Sequence, residues 1–324
     1  MSRSTERREF LRCLAATSAT LSLPRSAIAQ EQSDIKTYTY KSTGGCDIKA
    51  DVVSHGELKK RPVVLWIHGG ALIMGGRTGI PAFLRDLARD PGYAVVSIDY
   101  RLAPETKLPA IIEDIQDAHR WVRTQGPALF GADPDRIAVV GGSAGGYLTL
   151  MSGFCFDPRP KALVSFYGYG DIAGAWYSRP DPFYSKQPAV PKEEAYAAVG
   201  TAPIVTPPRG NTRGRFYLYC RQQGIWPKEV AGHDPDTEDK WFDGYCPIRK
   251  VSNRYPPTLL IHGTDDTDVP YEQSKIMAAK LAGAGVEHEL RTVPGAGHGL
   301  TGIDATELKR INHRAAEFIK THLG

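Results

Sequence analysis

The chain has 324 residues, of which 41% are hydrophobic and 23% charged, and it carries a formal net charge of +4. These values are ordinary for a soluble globular protein and provide enough chain for one large α/β domain or two smaller ones. Residues 1–29 hold five arginines and two glutamates, so the rest of the chain has a net charge of about +1. This near-neutral balance argues against a protein that binds nucleic acid or an anionic membrane surface.

Residues 1–29 have the pattern of an export signal. Arg7-Arg8 precede Phe10-Leu11, an apolar stretch follows at residues 13–23, and Ala27-Ile28-Ala29 forms a small-x-small cleavage site. The apolar stretch is too short for a membrane anchor, and we predict no integral membrane segment after signal removal. The Arg-Arg-x-Phe-Leu order resembles the twin-arginine signals of bacteria. It predicts export to the periplasm or the medium and a mature domain at residues 30–324.

From residue 35 the sequence alternates predicted strands and helices. TYTYKS and DIKADVVS are predicted strands joined by Gly44-Gly45. Buried strands are predicted in RPVVLWIHGG, GYAVVSIDY, DRIAVVGG, KALVSFYG, PPTLLIHGTDD and EHELRTVPG. Helices are predicted at residues 80–90, 108–125, 143–156, 270–285 and 305–322. Apolar strands that alternate with amphipathic helices predict the α/β class, with a mostly parallel, doubly wound sheet.

Residues 170–250 interrupt this alternation. They contain 10 of the 24 prolines and 12 of the 30 aromatic residues, with little periodicity. Disordered segments are poor in aromatic residues, so we predict an ordered insertion that packs over one end of the sheet. Cys220 and Cys246 lie in this insertion and are the best candidate pair if a disulfide forms, since an exported protein permits one. A protein that folds before export should not need a disulfide for its fold.

The stretch VVGGSAGGYL places Ser143 between two pairs of glycines, directly after a buried strand and before a helix. G-x-S-x-G in this context is the pattern of a nucleophile elbow. Gly141 and Gly145 let the chain bend sharply, and Gly142 and Ala144 leave the hydroxyl accessible. A phosphate-binding turn or a plain glycine turn is the alternative interpretation.

A serine hydroxyl becomes a nucleophile only with a base and a carboxylate that orients the base. On a hydrolase sheet the chain order is serine, acid, histidine. HGTDDTDV supplies Asp265, Asp266 and Asp268 as candidate acids. Of the histidines that follow, only His298, in PGAGHGL, lies in a loop just after a predicted strand.

The reaction also needs donors for the developing oxyanion. In WIHGGAL a strand runs into a glycine loop, which predicts an oxyanion hole formed by the backbone N–H groups of Gly70, Ala71 and Ala144. The spacing of Gly70 and Gly75 also fits a phosphate-binding loop. Such a loop requires a lysine after its last glycine, and this sequence has none there.

Five motifs together resemble the α/β-hydrolase superfamily: HGGA, SIDYRLAPE, DPDRIAVVGGSAGG, HGTDDTDVP and PGAGHG. The likeness is closest to hormone-sensitive-lipase-like esterases and related secreted carbohydrate esterases. It implies an α/β-hydrolase fold, and its H-G-x-x-D-x-x-V-P pattern places the acid at Asp266. It also implies that His68 braces the oxyanion loop and that Glu105 and residues 99–101 are structural.

We therefore predict an exported serine hydrolase of carboxylic esters that forms an acyl-enzyme and needs no metal or organic cofactor. Its partner would be a small-molecule or carbohydrate ester, such as an acetyl or feruloyl group on polysaccharide. Tyr167, Trp176, Tyr177 and Trp241 are predicted to line the pocket, although aromatic residues of the insertion also suit a small core of its own. Two other functions stay open: a secreted serine peptidase of the prolyl-oligopeptidase type, and a non-catalytic ligand-binding protein with the hydrolase fold.

Overall fold

The computed structural model describes residues 35–55, 60–89, 92–207, 210 and 213–324. The predicted export signal at residues 1–29 lies outside these described residues. The described residues form one eight-stranded sheet, with strands β1 Ile35–Thr43, β2 Cys46–Ser54, β3 Arg61–Ile67, β4 Ala94–Ile98, β5 Ala132–Gly142, β6 Ala162–Phe166, β7 Thr258–Gly263 and β8 His288–Val293.

The strands lie in the order β1-β2-β4-β3-β5-β6-β7-β8. β2 pairs with β4 in antiparallel fashion, and every pairing from β4 to β8 is parallel. β3, β4, β6 and β7 are buried along their whole length, as strands covered on both faces must be. The mostly parallel, doubly wound sheet predicted from the sequence is confirmed.

The helices are α1 Ala82–Arg89, α2 Leu108–Thr124, α3 Gly126–Phe130, α4 Ala144–Cys155, α5 Ala175–Ser178, α6 Lys192–Ala197, α7 Arg213–Gln223, α8 Trp226–Ala231, α9 Pro235–Glu238, α10 Glu272–Gly283 and α11 Ala305–Leu323. The five predicted helices correspond to α1, α2, α4, α10 and α11. α2 begins with Pro109 in its first turn, where the missing N–H costs nothing, and it buries Ile111, Ile115 and Val122. In the described part of the chain, no helix combines the length and apolar character needed to cross a membrane.

Residues 170–250 form α5 to α9 and three short 3-10 helices, at Tyr184–Lys186, Asp239–Gly244 and Pro247–Arg249. Two contacts show where this insertion packs. The indole Nε1 of Trp226 donates to the carbonyl oxygen of Ala71, which follows β3, and the guanidinium of Arg221 donates to the carbonyl oxygen of Asp268, which follows β7. The insertion therefore contacts loops at the carboxyl ends of the parallel strands.

Cys220 and Cys246, the best candidate pair in the sequence, do not form a disulfide. Both residues are buried free thiols. The Sγ of Cys246 instead lies 3.5 Å from a carboxylate oxygen of Asp171. Burial raises the pKa of Cys246 to about 12 and the pKa of Cys220 well above its usual range, so both stay protonated.

Candidate active site

Ser143 stands at the sharp turn between β5 and α4. Its φ of 56° and ψ of −122° form a strained conformation for a residue with a side chain. The turn is tight on both sides: a Cβ at Gly141 would lie 2.2 Å from the carbonyl oxygen of Gly145, and a Cβ at Gly145 would lie 2.0 Å from that of Ile67. The backbone N–H of Ser143 donates to the carbonyl oxygen of Phe166 at 2.9 Å. Glycine on either side is therefore what lets the chain present this hydroxyl.

His298 joins Ser143 to Asp266. Its Nε2 lies 3.0 Å from the Oγ of Ser143, and its Nδ1 lies 2.8 Å from the Oδ2 of Asp266. An ionised carboxylate only accepts, so Nδ1 carries the proton and Nε2 accepts from the serine hydroxyl. The Oδ1 of Asp265 instead accepts from the hydroxyl of Thr264. The structure thus brings together the serine, the histidine and the aspartate that the family pattern selects.

The carboxylate of Asp266 is fully buried and receives four donors. Its Oδ1 accepts from the backbone N–H groups of Asp268 and Val269, both at 2.9 Å. Its Oδ2 faces the Nδ1 of His298 at 2.8 Å and the Nε2 of His262 at 3.2 Å. Burial raises the pKa of Asp266, but the hydrogen bonds from His262 and His298 outweigh it and hold the pKa well below the usual range. Asp266 is therefore a fixed anion.

His262, for which no role was predicted from the sequence, is a second histidine at the carboxylate of Asp266. Its Nε2 faces two acceptors, the carbonyl oxygen of Val269 at 3.0 Å and the Oδ2 of Asp266, so this nitrogen carries the proton. Its Nδ1 accepts from the hydroxyl of Ser274 at 2.7 Å. The signal was present in the sequence, because His262 is the histidine of the H-G-x-x-D pattern.

Two carboxylates raise the pKa of the base, His298. The Nε2 of His298 lies 3.4 Å from the Oδ2 of Asp268, in addition to the contact between Nδ1 and Asp266. Burial lowers the pKa of His298, but the negative charges of Asp268 and Asp266 outweigh it and raise the pKa above the usual imidazole value.

The loop after β3 packs directly against the elbow. Gly70, Ala71 and Leu72 all have positive φ, at 109°, 56° and 61°. A Cβ at Gly70 would lie 2.2 Å from the carbonyl oxygen of Met74, so this position requires glycine. A Cβ at Gly69 would lie 3.2 Å from the Cβ of Ser143. The loop predicted to supply the oxyanion donors therefore packs against the serine at Gly69.

His68 and Tyr100 stack on each other and stabilise this loop through hydrogen bonds. Their rings stack with centroids 4.2 Å apart and planes 9° apart. The Tyr100 hydroxyl donates to the carbonyl oxygen of His68 at 3.0 Å, and the Nδ1 of His68 lies 2.8 Å from the carbonyl oxygen of Gly69. Burial lowers the pKa of His68, so its ring is neutral and fixes the loop without adding charge.

Two residues of the insertion donate hydrogen bonds to carbonyl oxygens of the same loop. Trp226 donates from Nε1 to the carbonyl oxygen of Ala71 at 3.0 Å, and Arg213 donates from Nε to the carbonyl oxygen of Ile73 at 2.6 Å. Arg213 also forms a buried ion pair with Glu105 at 2.7 Å. Neither contact was predicted from the sequence, because no local pattern in residues 213–226 indicates a contact with residues 71–73.

Asp268 connects the insertion to the base. Its Oδ1 accepts from the hydroxyl of Tyr184 at 2.9 Å, from the hydroxyl of Tyr217 and from the guanidinium of Arg221 at 3.0 Å. Its Oδ2 is the atom that lies 3.4 Å from the Nε2 of His298. In the sequence Asp268 is only one of three candidate acids, and the structure places it at Nε2 of His298, across the imidazole ring from Asp266.

Arg221 is a buried cation, only 1% exposed at its side chain, surrounded by aromatic rings. It pairs with Asp181 at 2.6 Å and with Asp268 at 3.0 Å. Its guanidinium carbon lies 4.8 Å from the ring centre of Tyr177 and 5.5 Å from that of Trp176. These two predicted pocket residues therefore belong to the aromatic group that encloses Arg221.

The other two predicted pocket residues lie in different places. The rings of Tyr167 and His298 meet edge to face, with their centroids 5.0 Å apart and their planes inclined at 67°. Trp241 stacks on His233 at 4.1 Å and on Tyr245 at 4.4 Å. Tyr167 thus borders the site directly, whereas Trp241 belongs to a separate aromatic stack of the insertion.

Comparison with known proteins identifies the family to which this fold and this site belong. A family model described as alpha/beta hydrolase fold matches residues 64–302, and the chain belongs to this family. The resemblance to the α/β-hydrolase superfamily predicted from the sequence is therefore confirmed. Among solved structures, a protein of unknown function from Staphylococcus aureus subsp. aureus Mu50 superposes with a TM-score of 0.72 at 20% identity. The match covers 89% of this chain and all of that one, and it shows the shared fold.

Two relatives are similar in sequence. The non-reducing polyketide synthase adrD of Penicillium rubens is 29% identical over 91% of this chain, and the chain spans 14% of that protein. Esterase LipC of Mycobacterium tuberculosis is 28% identical over 81% of this chain, which spans 58% of the esterase. The chain thus corresponds to a small part of the polyketide synthase and to somewhat more than half of the esterase.

Proposed function

We propose that this protein is a serine hydrolase of carboxylic esters. The observation that carries the proposal is the continuous hydrogen-bonded series from Ser143 Oγ to His298 Nε2 at 3.0 Å and from His298 Nδ1 to Asp266 Oδ2 at 2.8 Å. This is the geometry in which a base activates a serine and a carboxylate orients the base. The relative named Esterase LipC supports the same class.

In the proposed reaction, the Oγ of Ser143 attacks the ester carbonyl while Nε2 of His298 takes the hydroxyl proton. Asp266 stabilises the resulting imidazolium, because its carboxylate is already ionised and fixed by four donors. The tetrahedral intermediate then collapses, the bond to the alcohol oxygen breaks, and Nε2 gives its proton to the departing alcohol. Water, activated by the same nitrogen, hydrolyses the acyl-enzyme and restores the serine.

The oxyanion of each intermediate needs donors that are already in place. We assign this role to the backbone N–H groups of Gly70, Ala71 and Ala144. The positive φ values at residues 70 and 71 and the packing of Gly69 against Ser143 support the assignment. Removal of one side-chain amide donor from the oxyanion hole of another hydrolase costs about 10²–10³ in kcat, which sets the scale for a single donor.

The activity test compares Ser143→Ala with Ser252→Ala, which removes a hydroxyl outside the site. We expect Ser143→Ala to lose hydrolysis of p-nitrophenyl acetate and labelling by a fluorophosphonate probe, and Ser252→Ala to keep both. Full activity of Ser143→Ala would disprove the assignment. Failure of the wild-type protein to label would favour the non-catalytic ligand-binding function. Cleavage of proline-containing peptides without ester hydrolysis would favour the peptidase.

We further propose soluble esters, among them acetyl or feruloyl groups on carbohydrate, as the substrate class. The polar group next to the base, the carboxylate of Asp268, suits polar alcohols better than an apolar surface would. A panel of acetyl to long-chain p-nitrophenyl esters, with acetylated xylan and methyl ferulate, tests this. Highest kcat/KM on long acyl chains would contradict it.

Export is a separate proposal that rests on Arg7-Arg8, the apolar stretch at residues 13–23 and the Ala27-Ile28-Ala29 cleavage site. The double substitution Arg7→Lys/Arg8→Lys keeps the charge and removes the twin-arginine pair. We expect the variant to accumulate uncleaved inside a bacterial host while the wild-type protein is processed. Equal processing of both would point to an ordinary secretory signal.

A further inference from the structure

Asp268 has one carboxylate oxygen that is satisfied and one that is not. Oδ1 accepts from Tyr184, Tyr217 and Arg221. Within the described residues no group donates a hydrogen bond to Oδ2, whose neighbour is the Nε2 of His298 at 3.4 Å. The side chain is 18% exposed, so a molecule in the site can reach it.

The resting base cannot satisfy this oxygen. Because Nδ1 of His298 donates to Asp266, the neutral imidazole presents a lone pair at Nε2, and this lone pair is directed to the hydroxyl of Ser143. A bound substrate that shields this oxygen from water and donates nothing to it leaves the carboxylate oxygen unpaired, which costs free energy. A substrate that donates a hydrogen bond to Oδ2 therefore binds with a more favourable free energy than a substrate that does not.

The reaction fixes which part of the substrate meets Oδ2. Under the proposed function, Nε2 of His298 protonates the leaving alcohol, so the ester oxygen must come within about 2.6–3.2 Å of this nitrogen. The Oδ2 of Asp268 lies 3.4 Å from the same atom. This oxygen therefore borders the alcohol moiety of the ester, close to the carbon that carries the ester oxygen.

We propose that Asp268 is a specificity-determining residue that selects esters whose alcohol carries a hydroxyl next to the ester-bearing carbon, as polyols and sugars do. The hydroxyl would donate to Oδ2 while the ester oxygen faces His298. This inference rests on the proposed function and names the alcohol that the same site prefers.

A cationic alcohol such as choline fits less well. Quaternary ammonium groups are recognised by open aromatic cages. Here the rings nearest to Asp268 already surround the guanidinium of Arg221, which lies 4.9 Å from the ring centre of Tyr184 and 5.8 Å from that of Tyr217. The rings are therefore occupied by the protein's own cation, and what remains for the substrate is the single acceptor Oδ2.

The three donors at Oδ1 make Asp268→Asn an informative variant. Tyr184, Tyr217 and Arg221 all donate, so they hold the amide oxygen at the Oδ1 position and force the NH₂ group to the Oδ2 position. The variant thus presents a donor where the wild-type protein presents an acceptor. Asp265→Asn is the matched control for the loss of one charge. Asp265 lies three residues earlier, and its carboxylate accepts from the hydroxyl of Thr264.

The experiment measures kcat/KM for 2-hydroxyethyl acetate, 2-methoxyethyl acetate and propyl acetate. We expect the wild-type protein and Asp265→Asn to prefer the hydroxyethyl ester over the methoxyethyl ester by about tenfold. We expect Asp268→Asn to lose or reverse this preference. Any change in the strength of the base affects all three esters alike, so the ratio isolates recognition of the hydroxyl.

Equal rates of the wild-type protein on the hydroxyethyl and methoxyethyl esters would overturn the inference, and so would a preference retained in Asp268→Asn. Faster hydrolysis of acetylcholine than of the hydroxyethyl ester would overturn it in favour of charge recognition. If Asp268→Asn does not fold, as judged by circular dichroism, the wild-type ratio alone decides. Absence of hydrolysis of all esters by the wild-type protein would instead refute the proposed function.

Discussion

Trp226 donates a hydrogen bond from its indole Nε1 to the carbonyl oxygen of Ala71 at 3.0 Å. The indole is fully buried, and its ring stacks on Tyr177 with centroids 3.9 Å apart. The carbonyl of Ala71 belongs to the peptide that directly follows the predicted donor N–H of Ala71, so this contact restrains the oxyanion loop next to its donors. The insertion therefore contributes to the geometry of the site and not only to its enclosure.

Trp226→Phe tests this contribution. Phenylalanine keeps a ring on Tyr177 and removes the indole N–H, which leaves the buried carbonyl oxygen of Ala71 without its donor at a cost of about 1–3 kcal/mol. We expect kcat on p-nitrophenyl acetate to fall about tenfold or more, with a smaller change in KM.

Trp66→Phe is the control for that substitution. The buried indole Nε1 of Trp66 has no hydrogen-bond partner among the described residues, so the same N–H is removed without breaking a bond. If both variants lost activity equally, the loss would come from packing and the role given to the Trp226 hydrogen bond would be wrong.

The pH dependence of the reaction reports on His298. The base must be neutral, and the charges of Asp268 and Asp266 raise its pKa despite burial. The acidic limb of kcat/KM should therefore lie above the ordinary imidazole value of about 6.5. Asp268→Asn removes one of the two charges, so we expect its acidic limb to move to lower pH, while Asp265→Asn leaves the limb in place. A limb that does not move in Asp268→Asn would contradict the contact at Nε2.

The elbow predicts a strong difference between two glycines. A Cβ at Gly145 would lie 2.0 Å from the carbonyl oxygen of Ile67, a distance that backbone atoms relieve only by moving β3 or α4. A Cβ at Gly244 meets no atom within 4 Å. We expect Gly145→Ala to lower the free energy of unfolding by about 2–3 kcal/mol or more and Gly244→Ala to leave it nearly unchanged. Urea unfolding measures both, and equal stabilities would refute the close approach.

His119 makes stability depend on pH. Burial, with help from Arg123 and Arg120, lowers its pKa to about 4, and its ring stacks on Phe156 at 4.4 Å. The unfolded chain takes up the proton near pH 6.5 while the folded protein resists it. The stabilisation is thus complete above pH 6.5 and is lost as the pH falls towards 4, by about 3 kcal/mol.

His119→Phe keeps the ring and removes the titration. We expect its free energy of unfolding, measured in urea at several pH values, to fall less than that of the wild-type protein between pH 7.5 and 4. His313→Phe replaces a histidine whose side chain is 74% exposed and should follow the wild-type curve. Parallel curves for all three proteins would show that His119 is accessible to protons.

The sheet, the elbow and His298 were predictable because each depends on local pattern. A buried strand that ends in glycine marks a carboxyl end of the sheet, and the residues after such ends meet at one edge. The choice among Asp265, Asp266 and Asp268 was not predictable from the residues alone, since it depends on how one loop directs three neighbouring carboxylates.

Arg221 and Trp226 could not be assigned from the sequence for a different reason. They lie in an insertion without periodicity, and their contacts join positions 47 and 155 residues apart. Nothing in a helix with Arg221 at its end indicates that the guanidinium will reach Asp268. The absence of a disulfide between Cys220 and Cys246 could not be predicted either. Two cysteines in one irregular segment need not direct their thiols towards each other.

The contacts of Trp226 with Ala71 and of Arg221 with Asp268 also bear on the order of events in refolding. The sheet and the elbow are built from strands and helices outside residues 170–250, whereas both loops that carry the site are fixed by residues inside that segment. Circular dichroism should therefore recover before esterase activity does. We expect the insertion to dock on the formed sheet in the last step of folding, so that the two loops of the candidate site take their final geometry only then.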